Sequence, residues 1–69
     1  MEMKKVNGGN VRAVGYDERN RTLRVELTTG TYDYANVSAE LHRRLVNAAS
    51  MGSFFRDNIE EELTGKRVK

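Results

Sequence analysis

Tyr32 and Tyr34 are separated by a single residue, and the arginines of this chain come in tight groups: Arg19 with Arg21, then Arg24, then Arg43 and Arg44 directly after His42. Residues at i and i+2 of a strand share a face, and aromatic rings on a sheet are a surface on which unpaired bases stack. Arginine clusters meet phosphates through charged hydrogen bonds. Arg19, Arg21, Arg24, Tyr32, Tyr34, Arg43 and Arg44 are therefore the candidate nucleic-acid-binding residues. The competing reading puts both tyrosines in the core and leaves the arginines as solvated surface. Glu18 and Glu40 stand next to two of the basic groups and dilute their charge.

Other chemistry finds less to work with. There is no cysteine to act as a nucleophile or thiolate ligand, and His42 is the one histidine, with no serine or acid clearly placed beside it. Gly8-Gly9 lacks the Lys-Ser/Thr of a phosphate loop. Glu60, Glu61 and Glu62 are consecutive, so on a helix they point in different directions instead of converging on a metal. The expectation is a protein that is not an enzyme, with no cofactor and no metal.

The chain has 69 residues, with twelve Lys+Arg against ten Asp+Glu, a net charge of +2 and a pI near 9.2. That is one small domain, mildly basic and short of the excess that marks a nucleic-acid tail. Residues 1–37 and residues 38–69 each carry six basic and five acidic groups, so any basic patch must come from folding. A chain this short buries only roughly 60% of the surface its unfolded form exposes, and self-association into a homodimer is one way to add stability. No apolar run has the length of a signal peptide or membrane span, which points to a cytoplasmic protein without a membrane partner.

The elements that position these residues follow from pattern. Met1 to Asn10, ending in Asn7-Gly8-Gly9-Asn10, reads as a flexible lead-in or turn. Val11–Tyr16 reads as a strand, Asp17–Arg21 as a hairpin loop, and Thr22–Thr28 as a strand with Leu23, Val25 and Leu27 on one face. Thr29-Gly30 is the expected turn before a third strand, Thr31–Val37. Ser38 is a helix cap with Glu40 in the first turn. Leu41, Leu45, Ala48 and Ala49 form the apolar stripe, with His42, Arg43, Arg44 and Asn47 off it. Gly52 suits a left-handed helix end, and Ser53 a second cap. Phe55, Ile59 and Leu63 repeat at helical spacing, with Gly65 as terminator and Lys66–Lys69 as a frayed tail. The expected fold is α+β: a three-stranded antiparallel meander followed by two helices packed on one face.

Pairing Asp17 with Thr22, and Thr28 with Thr31, puts Val14, Tyr16, Leu23, Val25, Leu27, Tyr32 and Tyr34 on one face. This agreement favours tyrosines turned inward, because side-chain parity in a sheet is strict. Thr29 suits a two-residue turn poorly, however. A three-residue loop with a bulge at Gly30 would turn both tyrosines outward.

The ordered set Val14-Gly15-Tyr16-Asp17, Leu23-x-Val25, Gly30, Tyr32-x-Tyr34, Asn36-Val37, Ala49-Ser50-x-Gly52, Phe55 and Ile59 resembles the KTSC domain. That family is named after the C-terminal extension of some lysyl-tRNA synthetases and also occurs as free-standing small bacterial or phage proteins. Gly8-Gly9 stands where members often have two serines, and Ser38 where proline is common. The family has no established activity, and the resemblance implies RNA or tRNA binding through the synthetase attachment. The expectation is a non-enzymatic accessory module that binds RNA. The alternative is a small oligomeric module that binds a protein or sequesters a nucleotide ligand.

Overall fold

The computed structural model describes all 69 residues. Five antiparallel strands form one meander in sequence order: β1 (Met3–Gly8), β2 (Val11–Asp17), β3 (Thr22–Leu27), β4 (Gly30–Tyr34) and β5 (Gly65–Arg67). Between β4 and β5 lie α1 (Ala39–Val46) and α2 (Met51–Phe55), the latter continued by a π-helical turn over Arg56–Glu60. The α+β class and the two helices match the sequence expectation. The three-strand count does not, because both chain ends add an edge strand. β1 and β5 carry Lys4-Lys5 and Lys66-Arg67, with no apolar alternation to announce them. Backbone pairing to β2 and β4 makes them strands, and the lysines leave each outer edge unattractive to a further strand.

The core holds Val11, Val14, Leu23, Val25, Tyr34, Val37, Leu45, Phe55 and Ile59. Asp17 pairs with Thr22 as expected. The next hairpin turns at Thr28-Thr29, with Leu27 opposite Gly30 and Val25 opposite Tyr32, and not at Thr29-Gly30. Moving the turn by one residue moves the register by two, so parity survives and Tyr34 reaches the core at 3% exposure. Gly30 takes φ +152, a conformation natural to glycine at the start of β4.

Ser38 caps α1, its Oγ accepting from the Leu41 N–H at 3.1 Å. The helix ends earlier than its apolar stripe suggests. Asn47 turns back, backbone N–H and side-chain Nδ2 both donating to the Arg43 carbonyl, and Ala49 is left exposed. Such a side chain competes with helix continuation. Gly52 is a second correction. It lies inside α2, not in a left-handed helix end, and Ser50 takes the cap position expected of Ser53. Gly65 begins β5, and does not terminate a helix. No helix is long and apolar enough to cross a membrane.

Candidate functional site

The meander sets two turns side by side at one end of the sheet. Gly9-Asn10 joins β1 to β2 and Thr28-Thr29 joins β3 to β4, and the Thr28 N–H donates to the Asn10 carbonyl at 3.1 Å. The start of α2 packs against the first turn. A Cβ on Gly52 would lie 2.6 Å from the Gly8 carbonyl oxygen, and one on Gly8 would lie 2.9 Å from the Met51 Cβ. Two glycines therefore permit a backbone approach that side chains would block. The approach brings the Ser50 and Ser53 hydroxyls, bonded to each other at 3.1 Å, beside the Gly-Gly turn.

Three hollows meet at this end, and Thr28 lines all of them. The largest, about 640 Å³, opens between the two turns and α2, with Ser50, Ser53 and Arg56 on its wall. The others, about 590 Å³ and 370 Å³, lie on the sheet face away from the helices and share Arg12 and Glu26. Arg12 is exposed and sits where the β2–β3 register slips between Val11 and Ala13. A bulge of this kind re-aims a side chain. Together the three hollows are lined by five basic residues, Lys5, Arg12, Arg24, Arg56 and Lys69, against the two acids Glu26 and Glu60.

The seven residues singled out from sequence do not assemble into one surface. Tyr34 is buried and meets Phe55 edge-on, ring centroids 5.5 Å apart. Burial raises its phenol pKa, with smaller contributions from Glu60 and Tyr32. Tyr32 is half-buried and packs against the same core. Both rings turn toward the core, Tyr34 fully and Tyr32 in part, so the pair does not present an open aromatic platform on the outer sheet face. Arg24 is held by Asp33 through two bonds, Nε–Oδ1 at 2.7 Å and Nη2–Oδ2 at 2.9 Å, and these bonds raise its pKa. Arg44 pairs with Glu40 one helical turn away at 3.0 Å. Arg19, Arg21 and Arg43 are exposed and join no ion pair. Arg21 adopts φ 55 and its carbonyl accepts the Val37 N–H at 2.9 Å, which fastens the β2–β3 loop to the lead into α1. Of the seven, only Arg24 lines a loop-end hollow.

Sequence reasoning did not single out Arg12, Ser50, Ser53 or Arg56 as site residues. Gly8-Gly9 and Ala49-Ser50-x-Gly52 were visible as motifs, but they stand some forty positions apart, with nothing in the chain to say that they touch. His42, placed off the apolar stripe, is half-buried and stacks on Tyr16 at 4.7 Å and 9°. Burial, then the charge of Lys4, holds its pKa below the usual histidine value.

The KTSC domain family model matches residues 7–62 of the chain. The crystal structure of a KTSC domain protein from Yersinia pestis has the same fold, with a TM-score of 0.93 and 28% sequence identity over 99% of this chain and 97% of that one. No curated protein matches.

Proposed function

The chain belongs to the KTSC domain family, and from that premise we propose that it is a non-catalytic binding module for a phosphate-rich partner, RNA first among them, met at the loop end of the sheet. One observation carries this reading: three hollows converge on the paired turns with five basic residues around them and two acids. Arg24 is already engaged by Asp33 through two bonds, and Arg56 by Asp57 through one exposed bond at 3.2 Å. Lys5, Arg12 and Lys69 are therefore the unpaired cations, and Arg56 meets phosphate by exchanging its solvent-exposed partner. Backbone contacts of this kind bind by releasing counterions. Arg19, Arg21 and Arg43 supply secondary contacts on the far side of the fold. A second reading, a single nucleotide as ligand, draws on the largest hollow: its volume is of small-molecule size, and hydroxyls and an arginine line it.

The test is an RNA hairpin titration followed by amide NMR shifts at two salt concentrations. Shifts are expected at Gly9, Arg12, Thr28 and Ser53, weaker in high salt and lost in Arg12→Ala/Arg56→Ala. The slope of log K on log salt is expected at about −3 to −4 for four phosphates met. Loss in Arg43→Ala/Arg44→Ala instead would move the contact surface to α1. No shift at low salt with millimolar protein would sink the RNA reading.

A further inference from the structure

A fourth hollow, about 510 Å³, lies between β1 and α1. Six of its twelve lining residues are hydrophobic, against five of sixteen in the largest loop-end hollow, so it suits an apolar body and not a sugar-phosphate. Val14 is buried at its base, while Val6 and Met51 are half-buried and Val46 is 40% exposed. Apolar side chains left part-wet around one hollow gain from a partner that covers them. The Tyr16–His42 stack forms a further side. Lys4 lines the opening, is exposed and joins no ion pair.

Glu2, Lys5 and Glu18 also face this hollow. The ionisable group whose field reaches His42 is Lys4, whose charge adds to burial in resisting protonation. Lys4 and Lys5 balance Glu2 and Glu18 around the lining, and Lys4 is the charge that acts on the imidazole. We propose that this hollow binds a small amphipathic anion, an aliphatic or aryl carboxylate whose apolar body covers Val14 between Val6 and Val46 and whose carboxylate meets Lys4. The site does not depend on the RNA reading, and either can fail alone.

The experiment titrates the protein with octanoate, and in parallel with octanol, an apolar body of equal length without the charge. Methyl shifts in octanoate are expected at Val6, Val46 and Met51. Lys4→Gln, at an exposed position that leaves the core intact, should weaken octanoate several-fold and leave octanol unchanged. The His42 pKa should rise when octanoate binds, because the carboxylate offsets the Lys4 charge, and should stay put with octanol. Shifts scattered over the surface, no shift at millimolar octanoate, or equal octanoate affinity in Lys4→Gln would each overturn the proposal.

Discussion

The carbonyl oxygen of Gly8 stands 2.6 Å from where a side chain on Gly52 would begin, so the first turn of the sheet and the start of α2 lie in backbone contact. Gly52→Ala must push them apart. The expected cost is about 1–3 kcal/mol, the usual penalty of overpacking, read by urea denaturation, with amide shifts at Ser50 and Ser53. Gly9→Ala is the contrast. Its Cβ would meet nothing within 4 Å, but φ is +65, so it should cost about 1–2 kcal/mol in backbone strain and leave α2 where it is.

Tyr34 fills the core between Phe55 and the Cα of its β5 partner, Gly65. A Cβ at Gly65 would lie 2.5–2.7 Å from the tyrosine ring and hydroxyl. Tyr34→Ala should destabilise by about 3–5 kcal/mol, as other large aromatic truncations do. Tyr34→Phe keeps the ring and should cost less than about 1.5 kcal/mol. Gly65→Ala should release β5, seen as lost hydrogen-exchange protection at Lys66 and Arg67. If Tyr34→Ala were as stable as wild type, the core assignment would be wrong.

His42 makes stability depend on pH. Its folded pKa lies below the ordinary 6.5, lowered by burial first and by Lys4 second. The unfolded chain therefore takes up the proton first, and protons favour unfolding. The contribution is complete above 6.5 and is lost as pH falls through the lower folded value. Denaturation midpoints between pH 7.5 and 5 should decline in wild type. His42→Phe, which keeps a ring against Tyr16, should flatten that decline, and an unchanged slope would remove His42 from the account.

The Arg24–Asp33 pair is bidentate, with side chains 38% and 21% exposed. A double-mutant cycle should return a small favourable coupling that shrinks as salt is added, as for pairs that water still reaches. Because Asp33 already holds the guanidinium, Arg24→Ala should weaken RNA binding less than Arg12→Ala does. The reverse order would show that Arg24 leaves its partner to meet phosphate.

Much of the sheet was legible in the chain. Leu23, Val25 and Leu27 alternate cleanly, and the inward face of Tyr32 and Tyr34 came out right even though the turn was placed one residue late. Parity is robust to a whole-turn shift because side chains repeat every two residues. Ser38 was legible because a cap is a local bond, made to a residue three positions away. The edge strands were not, since Lys4-Lys5 and Lys66-Arg67 become strands through pairing with neighbours and carry no alternation of their own. From the chain alone Gly52 reads as a helix terminator, because position does not separate a glycine needed for its φ from one needed for its lack of a side chain.

What this sequence determined by itself is the class: alternating strands, capped amphipathic helices, one small α+β domain. Those are short-range properties, written in periods of two and three-to-four residues. The candidate sites were decided by tertiary structure alone. The meander brings Asn10 beside Thr28, α2 brings Gly52 and Ser50 to Gly8, and α1 folds His42 onto Tyr16. Each joins residues eighteen or more positions apart, and chain pattern carries no record of such distances until the backbone is packed.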